Sequence, residues 1–182
     1  HVMGIFHNSP HRPITKEMIL KCTAPYRYLS LLKPYDVREL KRTFDNEIEI
    51  AMGVDFGSGK SSFTAIATII LWKKLKRIQL VHIERRPPEN QMMQAQYITE
   101  LFKGLSCDIG VGDLGYGANQ VKIIQDGGHR ADSGVPFKGV GDDKFYGCRT
   151  ISDVTKPFQM FDETTDEHGD EVGRVQIDKT SS

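Results

Sequence analysis

Two aspartates hold equivalent places in this chain. Asp55 lies in Met-Gly-Val-Asp-Phe-Gly-Ser-Gly (52–59) and Asp113 in Val-Gly-Asp-Leu-Gly-Tyr-Gly (111–117), each ending an apolar run and opening onto glycines. A carboxylate at a strand end is held by the sheet, and neighbouring glycines leave room for an ion, a water or a phosphodiester to approach. Two such acids brought within a few ångströms repel unless a cation lies between them. Magnesium or manganese suits that place, since each takes oxygen ligands octahedrally and keeps waters that a phosphate can displace. Two ions about 3.5–4 Å apart would activate water and stabilise the leaving oxygen in phosphodiester hydrolysis, with no nucleophilic side chain. Either acid alone fits a turn former or helix cap equally well. The pairing favours the metal reading.

The nearby Gly-Lys-Ser (59–61) is a decoy. A phosphate-binding P-loop needs four residues between its glycines, and five separate Gly53 from Gly59. The turn also joins strand to strand, so no helix N-terminus receives a phosphate there. Positive charge gathers after Asp113 in Lys122, His129, Arg130, Lys138, Lys144 and Arg149, which are the candidates for holding a nucleic-acid backbone without sequence preference. A solvated surface explains them as well. Glu84 at a strand end could support a metal indirectly, His82 reads as structural, and Trp72, Phe56, Phe63, Tyr97 and Phe102 read as core.

The elements that must position the two acids follow from periodicity. Residues 47–56 alternate Ile48, Ile50, Met52, Val54 and Phe56 against Glu49, Ala51, Gly53 and Asp55, a strand that ends at the first acid. Short turns then join it to strands over 62–72 and 77–84, an antiparallel meander that Pro87-Pro88 stops. Met93, Tyr97, Ile98, Leu101, Phe102 and Leu105 recur at helical spacing over 90–105. Residues 108–113 form a fourth strand, reached through that helix and so parallel to one already in the sheet. A second helix is expected over 118–125 with Val121, Ile123 and Ile124 inward, ended by Gly127-Gly128. Residues 134–140 read as a fifth strand, 141–149 as a mobile loop or hairpin, 162–170 as an acidic turn and 171–177 as a last strand. Ahead of the sheet, Thr15 reads as the N-cap of a short helix, and Asp36 with Glu39 as a capping box before Val37, Leu40 and Phe44.

Bulk composition narrows the setting. The 182 residues carry 24 basic and 24 acidic side chains, so any affinity for nucleic acid is local. Cys22, Cys107 and Cys148 are odd in number and include no Cys-x-x-Cys, which argues against a disulfide framework or structural zinc and for a reducing, intracellular setting. The longest apolar run, 63–72, is strand-length, so a soluble protein is expected. Residues 1–3 read as an expression remnant, 4–46 as a lead-in arm with short helices, and 47–182 as the main domain.

The order strand, strand, strand, helix, strand, helix, strand is that of a ribonuclease H-like α/β fold: a mixed sheet of five or more strands, antiparallel meander plus parallel strands, flanked by helices. In it the first and fourth strands are neighbours and Asp55 and Asp113 finish side by side. Within that superfamily, Gly53-Val54-Asp55-Phe56-Gly57, the meander behind it, and Gly112-Asp113-Leu114-Gly115-Tyr116-Gly117 resemble the first two acidic motifs of the nuclease domain of the large terminase subunit of tailed bacteriophages. Residues 13–22 are similar to that family's lead-in and 175–181 to its late strand. The resemblance implies a two-metal endonuclease, with magnesium or manganese, acting on concatemeric double-stranded DNA in the cytoplasm of an infected cell. The implied partners are an ATPase domain on the same full-length chain, the portal and the small terminase subunit. The family also uses a third acid near its C-terminus, expected here beyond Ser182, with Asp142, Asp143, Asp170 and Asp178 as in-chain substitutes. A junction resolvase or transposase shares the fold, and an actin-like nucleotide-binding domain opens on a similar Gly-x-Asp-x-Gly. A DNA-binding or assembly module with a vestigial site is the remaining alternative.

Overall fold

The computed structural model describes residues 16–22, 33–57, 62–151, 158–165 and 171–178, from residue 150 onward by the backbone alone. The chain forms helices α1 (Lys16–Cys22) and α2 (Pro34–Thr43), then the meander β1 (Ile48–Asp55), β2 (Thr64–Trp72) and β3 (Arg77–Arg86). Helix α3 (Gln91–Gly104), strand β4 (Ile109–Asp113) and helix α4 (Leu114–Asp126) follow. A two-stranded hairpin, β5 (Gly127–His129) with β6 (Pro136–Lys138), precedes β7 (Phe145–Ile151), β8 (Phe158–Thr165) and β9 (Glu171–Asp178). The fold is α/β.

Seven strands make one mixed sheet in the order β3-β2-β1-β4-β7-β9-β8. The meander extends to one side of β1, and β4, β7 and β9 run parallel to it on the other, so these four strands end at one common edge. The alternation expected in 48–56 is realised: Ile48, Ile50, Met52, Val54 and Phe56 are buried while Asp55 and Gly53 are exposed. Burying each large apolar side chain contributes about 1.5–3 kcal/mol, which fixes which way this strand faces. Val121 and Ile124 of α4 and Ala95, Ile98 and Phe102 of α3 close the core over that face. Helix α2 joins it with Val37, and Phe44 meets Trp72 edge-on at 5.3 Å.

Several elements depart from expectation. Helix α4 begins directly at Leu114, because Asp113 itself caps it, rather than at residue 118. Residues 136–138 do not enter the main sheet; they pair with β5 alone. The fifth strand of the main sheet is β7, in the segment expected to be a loop, where Phe145 is fully buried and pairs with Gly110. Residues 162–165 are strand rather than turn, paired with β9. In α3 the buried stripe turns by one position to include Gln94 and Thr99, leaving Met93 exposed. Helix α2 starts at Pro34, whose fixed φ suits a first helical turn, so Asp36 is the third helical residue and accepts the Lys33 amide at 3.0 Å. Thr15 lies outside the described residues.

The face of the sheet away from these helices is bare among the described residues. Small residues of the central strands, Ala51, Gly53, Ala65 and Ala67, form a trough between exposed Ile78, Leu80 and Ile83 of β3 and Ile109 of β4. No helix among the described residues is long and apolar enough to cross a membrane.

Candidate active site

Asp55 and Asp113 come together through the register of β1 and β4. Val54 is level with Gly112, so one further step along these parallel strands sets Asp55 opposite Asp113. Neighbouring strands lie about 4.8 Å apart, and level residues of a parallel pair point to the same face. Both acids are thus on the bare face, Asp55 exposed and Asp113 half-buried. Asp113 also caps α4, its Oδ2 accepting the Gly115 amide at 3.1 Å. The remaining oxygen of Asp113 and the two of Asp55 are hard anionic donors of the kind divalent magnesium or manganese takes. The donor set fits such an ion.

The flanking glycines serve packing more than access. A Cβ on Gly112 would meet Phe56 at 2.7 Å, and one on Gly117 would collide with the same ring. Gly57 lies against the backbone of Ser62 and Phe63, while Gly53 alone among these faces open space, on the Asp55 side of β1. The motif glycines therefore let one aromatic ring, Phe56, seat beneath both acidic strands.

Next to Asp113 stands Cys148, its partner on β7. Burial and then the charge of Asp113 push its thiol above the usual range. Glu84 has no free role toward a metal: it accepts Tyr97 Oη at 2.6 Å, His82 Nε2 at 3.2 Å and Arg86 Nη1 at 3.3 Å. Burial alone would raise its pKa, but hydrogen bonds from Tyr97, His82 and Arg86 hold it below the ordinary value. With Arg86 stacked on the Tyr97 ring at 3.7 Å and paired to Glu89 at 2.5 Å, this network fastens β3 to α3.

The candidate third acids do not join the pair among the described residues. Asp142 and Asp143 precede β7 at the opposite end of the sheet, Phe145 being level with Gly110, three residues before Asp113. Asp178 ends β9 at the correct edge, yet Cys148, level with Asp113, is level with Val175. Asp178 is therefore two strands across and three residues beyond, roughly 10 Å in each direction. Asp170 and any ligand after Ser182 lie outside the described residues. No cluster of three metal-ligating side chains occurs among the described residues.

The basic candidates also separate. Helix α4 leads about 20 Å away from the acidic edge, by its 13 residues at 1.5 Å each, and Lys122 in its second half pairs with Asp126 at 3.3 Å. His129, Arg130 and Lys138 follow in the hairpin, which is tied to α3 through Arg130–Glu100 at 2.7 Å and Lys103 donating to the Lys138 carbonyl. Burial and then the neighbouring Lys138 lower the Lys103 pKa. Lys144 sits before β7 with the two aspartates. Of the six, Arg149 alone shares the edge, one residue past Cys148.

Beside that edge lies a cleft that the sequence reading did not contain. It opens between Gly57, the first turn of α3 and the outer side of α4, with a volume of about 740 Å³. Gln94 and Gln120 lie in its floor, with Gln120 Nε2 donating to Gln94 Oε1 at 3.3 Å. The available signal was glutamine at positions where helical spacing calls for apolar residues. Comparison of the chain with protein-family models, with curated proteins and with solved structures returns no match.

Proposed function

We propose that the chain is a metal-dependent endonuclease of ribonuclease H-like type, the nuclease domain of a viral DNA-packaging terminase. The observation that carries this reading is the level placement of Asp55 and Asp113 at the carboxyl ends of adjacent parallel strands, on a face that the described helices leave bare. The strand order, with the meander on one side of β1 and parallel strands on the other, supports the same reading.

When bound, divalent ions supply an activated water and a polarised phosphate. The chain's own residues fix where that happens. The sheet sets the spacing of the carboxylates, the Gly115 amide orients Asp113, and Phe56 holds the two strands from behind. Arg149 is the basic residue nearest this edge, but it stands one residue past Cys148 and so on the face opposite the acids, and phosphate contacts from it would have to come around the end of β7. The ATPase domain, portal and small subunit belong to the same proposal as partners of the full-length protein.

The test is cleavage of linear and supercoiled double-stranded DNA with magnesium or manganese. Wild type should cut, while Asp55→Ala and Asp113→Ala should fall to the level of the no-metal control. Equal residual nicking by wild type and Asp55→Ala refutes the reading.

A further inference from the structure

The cleft beside the acids has the chemistry of a nucleobase site. Its walls are amides, an aromatic ring and apolar atoms, Gln91, Gln94, Gln120, Tyr116 and Met92 among them, with one carboxylate, Glu89, that Arg86 neutralises. Among the described residues no lysine, arginine or histidine lines it, and a phosphate would find no cation there. Gln120 is only 2% exposed, and its Oε1 has no hydrogen-bond partner. Leaving such an acceptor buried and unpaired costs about 1–3 kcal/mol in general, which a ligand donor would relieve. The terminal amide torsion of glutamine is broad, so the amide can reorient about it without moving α4.

Position and shape add to this. Tyr116, 68% exposed, stands one helical turn from Asp113, and Gly57 is two residues from Asp55. The cleft mouth is therefore two or three residues along the chain from each acid, at the same carboxyl edge of the sheet but on its helical side, so a strand would round that edge between them. An exposed tyrosine at a cleft mouth offers a stacking platform for an unpaired base, and carboxamides pair with the amine edge of adenine.

We infer that this cleft receives one unpaired base, with adenine favoured over thymine, from the strand whose phosphodiester lies at Asp55 and Asp113. The inference rests on the nuclease reading for its substrate class. It makes the preferred substrate a duplex with an unpaired or extruded base beside the cut, because a base held in a stack cannot enter a cleft. Tyr116 stacks on the base, and Gln120 accepts from its exocyclic amine.

The experiment is fluorescence anisotropy in EDTA, so that affinity is read without cleavage. Labelled duplexes carry one unpaired adenine, one unpaired thymine, an abasic bulge or no bulge. Wild type should bind the adenine-bulged duplex about tenfold tighter than the paired one, the scale of a single base–aromatic stack. Tyr116→Ala should reduce that ratio to below about twofold, and Gln120→Leu should erase the adenine-over-thymine difference while leaving the preference for a bulge. Equal affinity for bulged and paired duplexes, or a preference unchanged in either variant, overturns the inference. Should Gln120→Leu fail to fold, Tyr116→Ala decides. The same duplexes with manganese and Asp55→Ala keep the two readings apart. Asp55-dependent cleavage without base preference overturns only the base site, and base preference with cleavage surviving in Asp55→Ala overturns only the nuclease.

Discussion

Lys41 reaches from α2 to Asp108, its Nζ 2.9 Å from each carboxylate oxygen, and the same Asp108 accepts the Ile50 amide of β1 at 2.8 Å. Burial would lower the Lys41 pKa, but Asp108 and then Asp45 raise it above the ordinary value. The contact joins α2, β1 and the residue before β4, so it fixes where β4 starts against its neighbour. Asp108→Ala leaves the Ile50 amide and the Lys41 ammonium without this partner. A loss of about 1–3 kcal/mol in urea unfolding is expected, and a change under 0.5 kcal/mol would show that the contact is dispensable.

The Glu84 network predicts an acid limb in stability. A carboxyl whose folded pKa lies below its unfolded value of 4.5 stabilises the fold above that pH, and the contribution is lost as pH falls through the folded pKa. Tyr97 works at the other end. Burial and then Glu84 raise its pKa above 10.0, so its contribution is complete below that pH and is lost as pH rises through the folded value. Urea midpoints measured from pH 3 to 7 should fall more steeply below pH 4.5 in wild type than in Glu84→Gln. Parallel curves would assign the acid limb to other carboxylates.

The glycines give opposite expectations at equal chemistry. Gly117→Ala drives a methyl into the Phe56 ring and should cost about 1–3 kcal/mol, whereas Gly53→Ala points into open space and should change stability by less than about 0.5 kcal/mol. Thermal melts of the two variants side by side decide it.

The same glycines mark where reading the sequence worked and where it failed. Period-two burial in 48–56 was legible because apolar side chains alternate strictly there, and the parallel return at 109–113 because a helix stands between it and the meander. Helix α4 was placed four residues late because Gly115 and Gly117 weaken local helix propensity, while the Asp113 cap and the Phe56 contact that override it are tertiary. Strand β7 was hidden for a similar reason. Gly147 gives way to Leu114, so a packing requirement looks like a loop in the residue string. The basic residues misled because sequence proximity to Asp113 ignores the length of the helix between them.

Two of the cysteines should differ in accessibility to reagents. Cys22 is exposed, and Cys107 is buried with burial and then Asp108 driving its pKa far upward. A thiol reagent at pH 8 should label Cys22 at once and Cys107 only after denaturant is added. Fast labelling of Cys107 in the native protein would show that the segment before β4 opens readily.

The seating of Phe56 under Gly112 and Gly117 acts as a tooth in a notch. If β4 slipped by one residue along β1, Asp113 would turn to the helical side of the sheet and the acids would face apart. The ring cannot follow that slip, because the neighbouring residues carry side chains where the glycines leave space. Fidelity of the acidic edge is thus kept from the opposite side of the sheet, and Phe56 variants should blur the alignment of the carboxylates before they unfold the chain.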